Sequence, residues 1–154
     1  MEQREYATRQ LSFFYCGEIN ENTPELIQSL MRGLVSSRMW ACSPPVFVDA
    51  TDEVEPNNQY GDLPVRNLGG TLTIYAANKG LLPLDLDERT LDDVIALVES
   101  VLKFSAEHLM EFEFYLDHAF VGIISDGHMD ASLEKGLIDE WRQHLVAMKY
   151  KTNA

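Results

Sequence analysis

Glu111-Phe112-Glu113-Phe114-Tyr115-Leu116-Asp117, followed after His118-Ala119 by Phe120-Val121-Gly122-Ile123-Ile124-Ser125, decides the fold class. In the first run Phe112, Phe114 and Leu116 alternate with Glu111, Glu113, Tyr115 and Asp117. That period of two belongs to a strand with one face buried and the other wet. The second run follows closely enough to lie beside the first, so Asp117-His118-Ala119 reads as a hairpin turn. Strands joined by a tight turn are antiparallel, and an antiparallel sheet tolerates water on one side. The acids then share the wet side.

Working outward, Thr90-Leu91-Asp92-Asp93 reads as a capping box that opens the longest helix, with Asp in place of the usual Glu or Gln. Leu91, Val94, Ile95, Val98, Val101 and Leu102 give that helix its apolar stripe, and it should end near Leu109. Downstream, Asp126-Gly127 signals a turn. Asp130 or Ser132 can cap a last helix with the stripe Leu133, Leu137, Ile138, Trp141, Leu145 and Met148. Upstream, Leu11 to Cys16 reads as a strand bounded by Gly17. Thr23 as N-cap, Pro24 at the first helical position and Glu25 at the dipole's positive end start a helix. Leu26, Ile27, Leu30, Met31, Leu34 and Val35 form its apolar face. Val46–Val48 and the β-branched run Thr71–Ala77 read as two more strands. The order β-α-β-β-α-β-β-α predicts an α+β fold: a largely antiparallel sheet with three amphipathic helices on one face. One domain over residues 1–154 suits a chain of this length.

Thr51 to Gly70 reads as a loop of about twenty residues, a length uncommon in compact domains unless the loop has a function or is unstructured. Its acids Asp52, Glu53, Glu55 and Asp62 face the single Arg66.

Twelve Lys and Arg against 25 Asp and Glu give a net charge of −13. Nucleic-acid binding is disfavoured, because duplex affinity comes from Lys and Arg displacing counterions. Anionic membrane surfaces are disfavoured by the same sign. No stretch approaches the ~20 apolar residues of a bilayer span. The polar start Met1-Glu2-Gln3-Arg4-Glu5 lacks the apolar core of a secretory signal. Cys16 and Cys42, neither in a CxxC pair, read as reduced thiols. A cytoplasmic protein with a basic protein partner is the expectation.

No catalytic arrangement emerges. Gly69-Gly70 precedes a strand rather than a helix, so the phosphate-cradling geometry is missing. No Ser occupies a GxSxG elbow, and neither Cys has an adjacent His or cluster of cations to activate it. His108, His118, His128 and His144 lack ligand spacing; only His118 and His128 could share a metal with Asp117 and Asp126, if their turns converged. Asp85-Leu86-Asp87-Glu88 and Glu111-Phe112-Glu113 pair carboxylates on an extended chain, without the nearby Lys that a nuclease would add. The expectation is no catalytic residue, no metal and no cofactor.

What stands out is clustered acidity. Positions 85–93 hold five acids against Arg89, positions 107–117 hold four with no base, and positions 126–140 hold five against Lys135. Spread evenly, the charge would place little more than one unit in a partner footprint of about 800 Å². Clustering is what steers a basic partner onto a surface.

The run Phe112-Glu113-Phe114-Tyr115-Leu116-Asp117, with Val121-Gly122, Asp126-Gly127, Leu133, Gly136-Leu137 and Glu140-Trp141, resembles bacterial polymorphic-toxin immunity proteins. It is most similar to those paired with restriction-endonuclease-like toxins, including type VI secretion effectors. Trp40 is a second point of agreement. The likeness covers roughly residues 104–145, and Asp117-His118 stands where a plainer hairpin would carry Asp-Gly. It implies a small α+β protein, without catalytic residues, that binds a nuclease toxin in the cytoplasm and blocks it. The partner would be a cognate toxin with a basic surface, with neither nucleic acid nor membrane involved. Its expected contacts are Asp52, Glu53, Glu55 and Asp62 of the loop and Glu111, Glu113 and Asp117 of the strand. The alternative is an acidic adaptor, effector chaperone or nucleic-acid mimic that binds a basic partner.

Overall fold

A run of alternating apolar residues forms a strand only if a partner takes its backbone hydrogen bonds, and Leu11 and Phe13 find partners on both sides. In a computed structural model, which describes residues 6–52, 65–76 and 82–152, β1 (Thr8–Tyr15) lies between β3 (Val65–Tyr75) and β4 (Glu111–Leu116). β2 (Val46–Asp52) flanks β3, while β5 (Ala119–Ser125) and the short β6 (His128–Met129) extend the other side. The sheet order is β2-β3-β1-β4-β5-β6, and every pairing is antiparallel. The α+β expectation holds, with β6 as an added strand.

Helices cover one face. α1 (Thr23–Ser37) packs on β2 and β3, and α2 (Leu84–His108) packs on β3, β5 and β6. The C-terminal helical segment begins as α3 (Ala131–Leu133), widens into a π-helical stretch at Glu134–Asp139 and continues as α4 (Glu140–Thr152). Phe13, Phe112 and Phe114 are fully buried at the centre, with Phe13 5.8 Å and 5.7 Å from the other two rings. Ile27 and Met31 of α1 and Val94, Val98 and Val101 of α2 close over them. Each such burial contributes roughly 1.5–3 kcal/mol.

Gly69 and Gly70 lie inside β3, where the sequence reading placed a loop. A Cβ on Gly69 would stand 1.9 Å from the Phe13 carbonyl oxygen, and one on Gly70 would stand 2.6 Å from the Met31 methyl carbon. Close approach of the Phe13 backbone, not a turn, requires glycine at 69, whereas a side chain at 70 would have to displace the flexible end of Met31. Thr51 to Gly70 is therefore only partly loop: Thr51 and Asp52 end β2, and Val65 opens β3.

Of the three helix starts, two differ from expectation and the third, at Asp130, agrees with it. Thr23 is the first residue of α1 rather than its cap, and the Asn20 side chain accepts hydrogen bonds from the backbone N–H groups of Asn22 (2.8 Å) and Thr23 (3.2 Å). Asp130 is the cap of α3, accepting from the Ser132 N–H. The capping box at Thr90 is overturned. α2 begins at Leu84, so Thr90 is buried inside it and its hydroxyl donates to the Leu86 carbonyl at 2.8 Å. Among the described residues, no helix is long and apolar enough to cross a membrane.

Candidate functional site

The strands that bury Leu11, Phe13, Phe112 and Phe114 turn their alternate residues to the opposite face. There β1 presents Gln10, Ser12 and Phe14, β3 presents Gly69, Thr71 and Thr73, and β4 presents Glu111, Glu113 and Tyr115. Among the described residues, no helix packs on this face. The face holds a depression of about 710 Å³, lined among others by Ser12, Phe14, Cys16, Thr71, Glu113 and Tyr115.

Register fixes who meets whom. Glu113 stands between Phe14 of β1 and Ile123 of β5, and Tyr115 between Ser12 and Phe120. The Tyr115 ring lies 6.1 Å from Phe14 and 5.8 Å from Phe120, and Phe120 is 53% exposed. The Tyr115 hydroxyl donates to Glu113 Oε2 at 2.5 Å. That bond pushes the tyrosine up to about 12, with burial and the carboxylate charge adding to it. Burial pushes the Cys16 thiol up to about 12 as well, with the Glu113 charge next in weight. Both groups keep their protons at neutral pH, so neither is a ready nucleophile.

Asp117 is held within the sheet. Its carboxylate accepts from Arg9 Nε at 2.7 Å and from the Gln10 N–H at 2.8 Å. Those two bonds, the Arg9 one foremost, hold its carboxyl below the usual carboxylate range. Asp117 and His118 both take left-handed backbone, φ 48° and 74°, the geometry of a tight hairpin turn normally given to Asn-Gly or Asp-Gly.

Of the seven acids read from the sequence as partner contacts, Glu113 and Asp117 line this depression, and Glu111 stands two residues before Glu113 on the same face. Glu53, Glu55 and Asp62 lie outside the described residues. Asp52 ends β2, three strands from β4 and so about 14 Å away across the sheet. Sequence reading missed Gln10, Ser12, Phe14 and Cys16. Their alternation with Leu11, Phe13 and Tyr15 is visible in a strand over Leu11 to Cys16, but only the pairing with β3 and β4 shows which set lies beside Glu113 and Tyr115.

The acidic cluster at 85–93 loses most of its charge to structure. Asp87 is buried and accepts from Trp141 Nε1 at 2.7 Å. Asp93 is buried, accepts from the Ala41 N–H at 2.7 Å and lies 3.1 Å from Arg38 Nε. Glu88 pairs with Lys149 at 2.6 Å. Only Asp85 and Asp92 remain exposed, so this segment does not present the five clustered acids expected to steer a basic partner. Helical backbone also removes the extended pairing imagined for Asp85 and Asp87.

The His118 and His128 turns stand at opposite ends of β5, about 20 Å apart by strand rise, so they do not converge. Among the described residues no group of three His, Cys, Asp or Glu side chains could hold a metal ion. Cys16 and Cys42 are both free thiols.

No family model matches this chain, and no curated protein or solved structure matches it. The functional reading therefore rests on the sheet face itself.

Proposed function

We propose that the chain is a stoichiometric inhibitor of the immunity-protein type, which occupies the basic surface of a nucleic-acid-cleaving toxin in the cytoplasm. The observation that carries this reading is the sheet face over which, among the described residues, no helix lies. Aromatic rings, hydroxyls and carboxylates stand there together on rigid strands, with no described helix over them. Aromatic residues in a concave patch are the usual anchors of protein interfaces. The net charge of −13 complements the basic groove that a nuclease needs for its substrate. A catalytic use has less support, because the thiol and the hydroxyl in the depression are both held protonated.

Co-expression with the neighbouring open reading frame tests the proposal. An inhibitor purifies as a complex with that product and rescues cells from its toxicity at one-to-one ratio. Binding without loss of toxin activity would indicate a chaperone or adaptor instead. Rescue at far below one-to-one would indicate an enzyme.

A further inference from the structure

We infer that the depression on the open sheet face receives an arginine side chain of the partner, stacked against Tyr115 and Phe14 with its guanidinium on Glu113. This deepens the inhibitor reading and rests on it.

The charges lining the depression narrow the choice of occupant. Arg66 is neutralised by Asp49, to which it donates two bonds of 2.8 Å. Asp117 is neutralised by Arg9. Cys16 and Tyr115 are protonated at neutral pH. Glu113 is left as the carboxylate in the lining that no Lys or Arg among the described residues approaches within ion-pair distance. It is not in open water either: Phe14 and Ile123 flank it across the strands, and the Tyr115 hydroxyl holds one of its oxygens. One unpaired negative charge among aromatic rings calls for one cation with a flat, weakly hydrated face.

Guanidinium meets that description better than ammonium. It stacks on aromatic rings within about 6 Å of their centroids, and its forked N–H groups match a carboxylate. Ammonium is a compact, strongly hydrated charge and gives up more hydration on entry. The remaining lining offers oxygens for the other N–H donors: the Ser12 and Thr71 hydroxyls, 2.9 Å apart, and the Gln10 side chain. The depression lies at the middle of the sheet, where β1, β3 and β4 neighbour one another. An arginine seated there would be desolvated by whatever surface surrounds it, the setting in which charge pairs gain most.

The probe is an end-blocked Ser-Arg-Gly-Arg-Ser peptide, titrated into the ¹⁵N-labelled full chain and followed by amide chemical shifts. Twin peptides carry lysine or citrulline in place of arginine. The expected result is saturable shifts at Ser12, Phe14, Glu113 and Tyr115. Half-saturation should rise roughly tenfold or more with the citrulline twin and with Glu113→Gln, with the lysine twin between. Glu113→Gln keeps an acceptor for the Tyr115 hydroxyl, and Tyr115→Phe, which keeps the ring, serves as a second variant that should still bind. Absent shifts, equal shifts with citrulline, or shifts spread over the acids of α2 and α4 would overturn the inference. Toxin rescue is read separately, so an inhibitor that does not use an arginine here is distinguishable from a chain that inhibits nothing.

Discussion

The two faces of this sheet are built from the same strands, one residue apart, and they obey different rules. Leu11, Phe13, Phe112, Phe114 and Ile124 turn to the helices and are fully buried. Their immediate neighbours Ser12, Phe14, Glu113 and Ile123 turn away and are half-buried. On the covered face the central residues are constrained by close packing; on the open face, composition is free to mix carboxylate, hydroxyl and ring. A one-residue slip would exchange the two sets, so the burial of the phenylalanines also places Glu113 and Tyr115. Stability on one side thereby positions recognition on the other.

The largest expected effect separates the faces directly. Phe112 is buried against the rings of Phe13, Tyr15 and Phe104. Phe112→Ala should cost about 3–5 kcal/mol in urea denaturation, by lost transfer energy and the cavity left behind. Phe14→Ala, on the open face, should cost about 1 kcal/mol or less. Equal losses would mean that both faces are covered in solution.

A second contrast sets buried acids against exposed ones. Asp87 owes its only side-chain donor among the described residues to Trp141, so Trp141→Phe should cost about 1.5–3 kcal/mol by leaving a buried carboxylate unsatisfied. Burial raises the Asp87 and Asp93 carboxyls above 3.8, so between that value and their raised positions the folded chain holds more protons than the unfolded chain. Their contribution to stability is greatest below 3.8 and is lost as pH rises through the raised values. Asp49 and Asp117 are lowered, chiefly by hydrogen bonds from Arg66 and Arg9, and contribute above 3.8 until pH falls through their lowered values. Asp87→Asn keeps an acceptor for Trp141 and should remove part of the decline above 3.8. An unaltered stability profile against pH would show that Asp87 titrates as it does unfolded.

The contrast between faces was legible at β4 and not at α2, for a physical reason. Glu111 to Leu116 carries its periodicity within six residues, and its turn partner follows at once. Asp87 and Asp93 are buried by donors from Trp141 and Ala41, 54 and 52 residues away in sequence, and no local pattern announces such partners. Asp85-Leu86-Asp87-Glu88 therefore read as exposed acids, and the helix start was displaced to Thr90. Gly69-Gly70 misled in the same way. A glycine demanded by the approach of the Phe13 backbone, with a second beside it under the Met31 side chain, looks locally like a turn. On the candidate site, the acids of β4 were legible, while Phe14, its register partner at Glu113, could be matched to it only once β1 was known to pair with β4.

At the hairpin tip the expected change is smaller and has the opposite sign. His118 holds φ 74° without being glycine and is exposed at the rim of the depression. His118→Gly relieves that conformation and should stabilise the chain by roughly 1 kcal/mol or less, since glycine also gains freedom in the unfolded state. Its thermal midpoint should rise while the amide shifts of the covered face stay in place. A fall in the midpoint would mean that the imidazole makes a stabilising contact that outweighs the strain.

Glu111 is where stability should respond least and binding should still respond. It stands opposite Ser125 on the open face, and among the described residues no Lys or Arg pairs with it. Glu111→Gln should therefore leave stability within about 0.5 kcal/mol. Its charge still contributes to the field that a basic partner meets on approach, and fields between exposed charges are screened by salt. With the toxin found by co-expression, association rate is measured against ionic strength for wild type, for Glu111→Gln, and for Asp52, Glu53 and Glu55 changed together to Lys. The strand acid should slow association at low salt and flatten its salt dependence, with little effect on dissociation. The triple reversal alters charge beginning about 14 Å away across the sheet. If only the triple reversal changes the slope, the partner approaches over β2 and the open face at β4 is not its landing site; if only Glu111→Gln does, the reverse holds.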